Sequence, residues 1–315
     1  MINKKQLEEM LVGADVLYPI CIPSYKRWER NKNKTITRII ENCDEEIQRN
    51  TYVFVREEQY KEYKNNFNSI NIVTLPKVNG LASTRQFITD YVSEELKQPY
   101  FMDMDDDITD LKAVFLNENG KPSLSKVGEI DVSQIIKLGF LVSEIAFKEY
   151  NCLFGGFRRV RFANNIENTQ TAFVTNKGAT PRQVMFVNAD GLKRKKIHRN
   201  MIFDPTGDDV GFVAEISKNF GEMFNIPFLA YSFVDDTVNS VIRNDDNRKI
   251  LAEYEETCIR KYPMRNYMRI PFTFEDGSYK FCDIDFTKYR KVTGLCSKTV
   301  KLEDVYKSLK KRGKI

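Results

Sequence analysis

The stretch PYFMDMDDDITDL, residues 99–111, begins as an apolar run and ends with three adjacent aspartates, Asp105, Asp106 and Asp107. Its first four residues are typical of a buried strand, and buried strands of parallel sheets end abruptly at loops. Three neighbouring carboxylates repel one another unless solvent, raised pKa values or a bound cation reduces the cost. Because ligands of open α/β sheets bind beyond the carboxyl ends of the strands, the triplet predicts a ligand site.

Strand and helix patterns alternate on the amino-terminal side of this stretch. The predicted strands are 16–24, 51–56 and 70–76, and the predicted helices are 35–48, 57–67 and 81–97. Successive units of this kind predict an α/β fold with a mostly parallel, doubly wound sheet and helices on both faces. The pattern loosens after residue 110, where we predict helices at 131–150, 207–221 and 245–262 and strands at 152–162 and 180–188.

The composition predicts a globular protein that does not contact a membrane. The chain has 315 residues, of which 42% are hydrophobic, but no apolar segment approaches the roughly 18 residues that a membrane helix needs. We recognise no signal peptide, and six scattered cysteines without a CxxC pair indicate reduced thiols in a cytoplasm. The single histidine, His198, excludes zinc sites with several histidines, so carboxylates must carry most acid–base chemistry.

The aspartate triplet is a candidate metal site. Asp105 and Asp107 are alternate residues and can reach one ion, while Asp106 bonds the backbone or the substrate. Few carboxylate ligands leave Mg²⁺ or Mn²⁺ with open positions, which water and substrate phosphates normally fill. Arg85, near the start of the helix before this strand, could reach the aspartates or a pyrophosphate, or form a plain surface ion pair. Asp103, within the strand, is expected to be structural.

The first strand ends in IPSYKR, residues 22–27, which suits contact with a nucleotide. Pro23 and Ser24 form a turn, and the residues that follow offer a hydroxyl, an aromatic ring and cations. No glycine-rich phosphate loop is present, which excludes dinucleotide dehydrogenases and P-loop enzymes.

Three of these segments in order, IPSYKR, LASTRQF and FMDMDDDI, resemble the nucleotide-sugar half of glycosyltransferases of the A-type fold. Over residues 16–110 the chain is most similar to the TET-associated glycosyltransferases, phage enzymes that glycosylate hydroxymethylated pyrimidines in DNA, and it also resembles the base J glucosyltransferase. The resemblance implies a UDP-sugar donor and a divalent metal. It implies that the uridine pocket contains Ser24, Tyr25 and Arg27, that Arg85 contacts the diphosphate or holds the metal motif, and that Asp105 and Asp107 hold Mn²⁺ or Mg²⁺.

The resemblance also implies a general base at a later helix start. The matching pair here is Asp208 and Asp209, with Asp208 in place of the familiar glutamate, and we favour Asp209 as the base. The alternative is that both aspartates simply cap their helix, since Asp is favoured at such positions.

The implied acceptor is the hydroxymethyl group of a modified pyrimidine in double-stranded DNA. The net charge of +5 is modest, but basic clusters follow the nucleotide half while acidic residues gather at 103–110, and this uneven distribution suits a polyanionic partner. The candidate DNA contacts are Arg158, Arg159, Lys193, Arg194, Lys195, Lys196 and His198. For His198, a role as a third metal ligand is the alternative.

We therefore divide the chain into a nucleotide-sugar half (1–115), an acceptor half of the same domain (116–262) and a carboxyl-terminal extension (263–315). Two other activities stay open: an A-type transferase acting on a glycan or small molecule, and a sugar nucleotidyltransferase. A DNA-binding module without activity would leave the triplet unexplained. The residues do not distinguish glucose from a pentose such as arabinose, or predict an oligomeric state. The expected location is the cytoplasm, that of an infected host if a phage encodes the protein.

Overall fold

The computed structural model describes most of residues 4–234 and a smaller part of the remainder. Residues 79, 164, 178–180, 205 and 206 are not described, and beyond 234 the described residues are 253, 254, 257, 258, 260, 268, 269, 272, 273, 279, 280, 283–311 and 313. The predicted helix at 245–262 therefore lies largely outside the described residues.

A single eleven-stranded sheet forms the centre of the described structure. Its strands are β1 (Ile20–Pro23), β2 (Thr51–Arg56), β3 (Asn71–Leu75), β4 (Tyr100–Met104), β5 (Ile108–Leu116), β6 (Pro122–Leu124), β7 (Cys152–Arg159), β8 (Thr171–Thr175), β9 (Val184–Asn188), β10 (Glu222–Phe233) and β15 (Thr299–Lys301). Four two-residue strands form two small ladders: β11 (Met268–Arg269), β12 (Phe272–Thr273), β13 (Tyr279–Lys280) and β14 (Asp283–Ile284).

The order across the main sheet is β15-β8-β10-β7-β9-β4-β1-β2-β3, and β5 adds to β10 and carries β6. The pairs β3-β2, β2-β1, β1-β4 and β7-β10 are parallel. The antiparallel pairs of this sheet all involve β5, β8 or β9. These three strands run opposite to the other eight, which all have the same direction. The predicted α/β class with a mostly parallel sheet is therefore confirmed.

Helices cover both faces of the sheet, because residues along a strand alternate between its two sides. In β1, Ile20 and Ile22 pack into one buried cluster, while Cys21 packs into the other. The described helices are α1 (Lys4–Gly13), α2 (Lys34–Arg38), α3 (Glu45–Arg49), α4 (Tyr60–Asn66), α5 (Leu81–Glu94), α6 (Val132–Tyr150), α7 (Val160–Ala163), α8 (Ala189–Lys195), α9 (Asp208–Lys218), α10 (Phe286–Thr293) and α11 (Leu302–Lys311). Helices α1, α3, α4 and α6 pack with the first cluster, and α5, α8 and α9 with the second.

The main differences from the prediction are three. Residues 160–162, predicted as the end of a strand, lie in the short helix α7 (Val160–Ala163). The helix predicted at 35–48 is divided into α2, a short 3-10 turn at Ile40–Asn42 and α3, because Asp44 caps a new helix by accepting the Ile47 N–H at 2.9 Å. Strands β5, β6, β8 and β10 were not predicted, and two of them, β5 and β10, pair with each other.

The parallel pairing of β1 and β4 brings their carboxyl ends together. Cys21 is in register with Asp103, so the residues that follow each strand meet at one edge of the sheet. No helix in the part of the chain that the structure describes is long and apolar enough to cross a membrane.

Candidate active site

Asp106 is held by residues that follow β1. The Ser24 hydroxyl donates to Asp106 Oδ2 at 2.6 Å, and Arg27 forms an ion pair with Asp106 Oδ1. Because the single hydroxyl proton of Ser24 is donated to Asp106, the Tyr63 hydroxyl is the donor in its 2.7 Å hydrogen bond with Ser24 Oγ. The Tyr63 hydroxyl oxygen in turn accepts the Arg27 backbone N–H at 2.9 Å. Two residues predicted for the uridine pocket, Ser24 and Arg27, therefore contact the middle aspartate.

The backbone of the triplet is fixed from both sides. Thr35 Oγ1 donates to the Asp105 carbonyl at 2.5 Å and accepts the Ile108 N–H at 2.9 Å. From the other side, the Gln183 carbonyl accepts the Asp105 N–H at 2.8 Å. These bonds anchor the loop between β4 and β5, so its carboxylates are held at the edge where β1 and β4 end.

A buried group of ion pairs lies beside this loop. Arg85, in the second turn of α5, places Nε 3.1 Å from Asp103 Oδ2 and Nη1 2.9 Å from Asp208 Oδ2, and it also pairs with Asp105 through Nη2. Arg199 lies on the other side, with Nη1 3.1 Å from Asp208 Oδ2 and Nη2 3.8 Å from Asp103 Oδ2. The sequence predicts that Arg85 reaches the aspartates and that Asp103 is structural, whereas Arg199 was not predicted.

Acidic groups outnumber basic groups in these pairs. They join five carboxylates (Asp103, Asp105, Asp106, Asp107 and Asp208) to three guanidiniums (Arg27, Arg85 and Arg199). Desolvation raises the pKa of Asp105 well above its ordinary value; Arg85 acts in the opposite direction and Asp107 adds to the increase. The cluster is thus suited to a divalent cation, which would neutralise the excess charge.

Asp105 and Asp107 are the more accessible members of the triplet, with 27% and 19% of their side-chain surfaces exposed against 14% for Asp106. Among the described residues, no group of three or more histidine, cysteine or carboxylate side chains is arranged to hold a metal ion. Two carboxylates suit an ion such as Mg²⁺ or Mn²⁺, which takes most of its ligands from water and phosphate. His198 is exposed, and it belongs to no such group.

The predicted pair Asp208 and Asp209 does begin a helix, and its two members have different surroundings. Gly207, with φ of +75°, precedes α9 and turns the chain into it. Asp208 is buried between Arg85 and Arg199, whereas Asp209 is partly exposed, and its Oδ2 lies 2.8 Å from Arg182 Nε. Of the two, only Asp209 combines a partly exposed carboxylate with a position beside the site.

The remaining predicted nucleotide contacts lie at the end of β1 or just beyond it. Pro23 is buried as its last residue, and the half-buried Tyr25 ring has the Arg56 guanidinium 4.6 Å from its centroid. Lys26 Nζ lies 5.2 Å from the same centroid. An aromatic ring flanked by cations is compatible with binding a nucleoside that carries phosphates.

The predicted DNA contacts fall into two groups. Arg158 and Arg159 end β7; Arg158 donates to Asn168 Oδ1 at 3.0 Å, and Arg159 donates to Gln183 Oε1 at 3.1 Å, which places Arg159 beside the anchored triplet. The second group lies on the flank of α5 and contains Lys193, Arg194, Lys195, Lys196 and His198, all exposed.

This second group begins far from the triplet. Lys193 Nζ lies 3.0 Å from Glu94, nine residues along α5 from Arg85, or about 13 Å along the helix axis. The chain then runs back along α5 towards Arg85, and the Arg199 backbone N–H donates to Gln86 Oε1 at 2.8 Å, close to the buried ion pairs. The group therefore lines a path along the side of the protein rather than the reaction centre itself.

Several residues of the site were not predicted, notably Thr35, Tyr63, Arg182, Gln183 and Arg199. In the structure, Ile197 and Arg199 are buried and His198 between them is exposed, but no pattern in the sequence indicates which of these side chains is buried. We find no sequence signal for the other four either.

Comparison with protein families matches the model of the TET-Associated Glycosyltransferases to residues 18–203, more than half of the chain. The chain belongs to this family. The predicted family and the predicted activity, sugar transfer from a nucleotide-sugar donor, are thereby confirmed. The match includes the triplet, Arg85 and Arg199, and it ends before α9.

Solved structures with similar folds are glycosyltransferases and a geranyltransferase, all remote. TarS 1-349 of S. aureus in complex with UDP is 11% identical, with a TM-score of 0.40 over 78% of this chain and 72% of that chain. Glucosyl-3-phosphoglycerate synthase from Mycobacterium tuberculosis, solved with Mn²⁺, UDP and glucosyl-3-phosphoglycerate, is 7% identical, with a TM-score of 0.40 over 90% and 95%. Mannose-1-phosphate geranyltransferase from Thermus thermophilus is 11% identical, with a TM-score of 0.36 over 69% and 75%. No curated protein matches the chain. Likenesses this remote assign neither a substrate nor a site residue.

Proposed function

We propose that this glycosyltransferase uses a divalent metal to move a sugar from a UDP-sugar to the hydroxymethyl group of a modified pyrimidine in DNA. The observation that supports it best is the group of carboxylates, Asp105 and Asp107 among them, at the edge where β1 and β4 end, in a chain of the TET-associated family. A diphosphate would add further negative charge at this edge, so donor binding requires a cation.

In the donor half, residues 1–115, Asp105 and Asp107 hold Mn²⁺ or Mg²⁺. When bound there, such an ion would stabilise the negative charge of the departing diphosphate. Arg85 has three carboxylate neighbours, which favours a role in holding Asp105 over direct contact with the diphosphate. Ser24 and Arg27 set the position of Asp106, and Pro23 and Tyr25 face the nucleoside.

In the acceptor half, residues 116–262, Asp209 is the general base. A primary alcohol is a weak acid, so a carboxylate within hydrogen-bond reach takes its proton as the new C–O bond forms to the sugar carbon. Asp209 is partly exposed and is oriented by Arg182, which suits this role. Asp208 is held between two arginines and acts as an anchor for α9.

The proposed DNA contacts are Arg158 and Arg159 together with the exposed basic group on the flank of α5, which contains Lys193, Arg194, Lys195, Lys196 and His198. Phosphate contacts by lysine and arginine position a duplex without reading its sequence. Arg159 is linked to the triplet through Gln183, so a strand held there lies next to the donor sugar.

The test is a transfer assay with defined DNA. The protein and Mn²⁺ are incubated with a panel of UDP-sugars and with plain or hydroxymethylated duplex DNA. The DNA is then digested, and the masses of its nucleosides are measured by mass spectrometry. We expect a gain of mass equal to one sugar residue on hydroxymethylated DNA alone. Hydrolysis of a UDP-sugar with no DNA adduct would instead favour a glycan or small-molecule acceptor, and no consumption of any UDP-sugar would contradict the donor.

A further inference from the structure

Arg199 is a buried cation at the end of an exposed basic segment. Its residue exposure is 3%, whereas Lys195, Lys196 and His198 before it are exposed. Burial lowers the pKa of Arg199 to about 10, so its guanidinium is charged at neutral pH. A buried charge is costly unless it is paired, and the segment places this one between acidic partners.

The main partner of Arg199 is Asp208. Arg199 Nη1 lies 3.1 Å from Asp208 Oδ2, and Arg85 Nη1 lies 2.9 Å from the same oxygen, so one carboxylate oxygen is shared by two guanidiniums. The Arg199 guanidinium also lies 3.9 Å from the ring centroid of Phe212, one turn along α9. Arg199 therefore contacts α9 at its first residue and again at its fifth.

These contacts hold the first turn of α9 on its buried side. Gly207 offers no side-chain cap, so the start of the helix depends on other groups for its position. Asp209 follows Asp208 and projects about 100° further around the helix, towards Arg182, whose Nε lies 2.8 Å from Asp209 Oδ2. A shift of Asp208 would move Asp209 with it, because both belong to the same turn.

Arg85 pairs with three carboxylates, one of which is Asp208. Without Arg199, Asp208 and Asp103 would depend on Arg85 alone for compensation, and Arg85 also pairs with Asp105. With Arg199 present, Asp208 has a second cation. Ion pairs of this buried kind contribute little net stability compared with apolar packing, so their main effect here is on geometry.

We propose that Arg199 is a positioning residue for sugar transfer, acting through Asp208 to fix the start of α9 and hence the placement of Asp209 towards the acceptor. This rests on the proposed function, in which Asp209 is the base. Because Arg199 is buried and the ion pair with Asp105 is made by Arg85, loss of Arg199 slows transfer without weakening donor binding.

The first experiment replaces Arg199 by Met, which keeps most of the side-chain volume, and by Lys, which keeps the charge. We expect Arg199→Met to lower kcat for transfer about 100-fold, as displacement of a reacting group by an ångström does. The Kd for UDP with Mn²⁺, measured by calorimetry, should stay within about twofold of wild type. Arg199→Lys should recover kcat to within about tenfold of wild type, because the lysine ammonium can still pair with Asp208 although it lacks the planar set of donors of the guanidinium.

The matched control is Arg290→Met. Arg290 is a partly buried arginine at the opposite edge of the sheet, where Nη1 donates to the Asn176 carbonyl at 2.7 Å. We expect this variant to keep both kcat and UDP affinity. Wild-type kcat in Arg199→Met overturns the proposal, and so does a parallel loss of kcat and UDP affinity that Arg199→Lys does not recover.

The second experiment is a double-mutant cycle with Asp208→Asn. If Arg199 acts through Asp208, the double variant is no slower than the slower single variant, whereas independent roles would multiply the two losses and overturn the proposal. Should Arg199→Met fail to fold by circular dichroism, the cycle is run with Arg199→Lys. Wild-type enzyme that leaves hydroxymethylated DNA unmodified contradicts the proposed acceptor, and the same cycle is then measured on UDP-sugar hydrolysis.

Discussion

The Ser24 hydroxyl lies 2.6 Å from Asp106 Oδ2 and joins the end of β1 to the loop after β4. The two residues are 82 positions apart in the chain, and the bond is possible because β1 and β4 are neighbouring parallel strands. The nucleotide-binding turn and the acidic loop are therefore one structural unit.

Replacing Ser24 by Ala is expected to destabilise the protein by about 1.5–3 kcal/mol, because a hydrogen bond to a buried charged group is lost. Ser297→Ala is the control, since Ser297 donates to the neutral Thr175 carbonyl at 2.8 Å and should cost only about 0.5–1.5 kcal/mol. Urea denaturation measures both values. Equal costs would show that the charge on Asp106 adds nothing to this bond.

Asp105→Asn and Asp107→Asn should each reduce turnover at least about 100-fold at saturating Mn²⁺, because each removes a ligand of the proposed metal. Circular dichroism should show an intact fold, and calorimetry should show weaker Mn²⁺ binding. Asp110→Asn is the control, since Asp110 pairs with Lys112 at 2.9 Å on β5 and should leave turnover unchanged. Undiminished wild-type turnover in excess chelator would contradict metal dependence.

Asp209→Asn should lower kcat by about 10²–10⁴-fold, the usual contribution of a general base, while UDP binding is retained. Glu215→Gln removes another carboxylate from the same helix, one that accepts from Asn200 Nδ2 at 3.1 Å, and should leave kcat within about twofold. Single-turnover transfer to hydroxymethylated DNA is the measurement. A fully active Asp209→Asn enzyme would exclude Asp209 as the base.

Asp204→Ala is expected to destabilise the protein by about 1 kcal/mol, because Asp204 Oδ1 accepts the Ser83 N–H at 2.7 Å and so caps α5 from outside the helix. Asp204→Asn keeps this acceptor and should retain most of the stability. Gly80→Ala should also destabilise, by about 1–3 kcal/mol, since a Cβ would lie 2.8 Å from the Asp204 carbonyl carbon. Thermal unfolding compares the three variants, and equal effects of Ala and Asn at 204 would refute the capping role.

Replacing Lys193, Arg194, Lys195 and Lys196 by Ala should weaken binding to duplex DNA most at low salt. The slope of log K against log salt is negative, and each lost phosphate contact makes it shallower by about 0.9. The difference from wild type therefore shrinks as the salt concentration rises. Transfer to a free hydroxymethylated nucleoside should be unchanged. Lys61→Ala with Lys64→Ala, two exposed lysines on α4, is the control, and an unaltered salt slope in the fourfold variant would place the DNA elsewhere.

The first half of the fold could be predicted because its signals are local. Strands β1 to β4 and helix α5 each carry a clear apolar pattern, and the aspartates follow the last of these strands directly. The start of α9 at Asp208 was also predictable, since paired acids before an apolar run are a common helix start. The presence of Arg85 and the triplet in one site followed from the order of these elements.

The remainder depends on contacts that are distant in sequence. Strand β10 pairs with β5, more than one hundred residues earlier, and no local pattern indicates that pairing. Arg199 follows a run of exposed basic residues, and its burial depends on Asp103 and Asp208 from two other segments. Its role could be recognised only when those three residues were seen together.

The pairing of β5 with β10 has a consequence for dividing the chain. The turn at 117–120 is exposed, while β5 before it is hydrogen-bonded to β10 far beyond it. A chain cut in this turn would give one fragment with Arg85 and Asp105 and another with Asp208 and Arg199, each with unmatched buried charges. The two fragments would be complementary, and sugar transfer would report their reassociation, so the turn is a natural place to build a split enzyme.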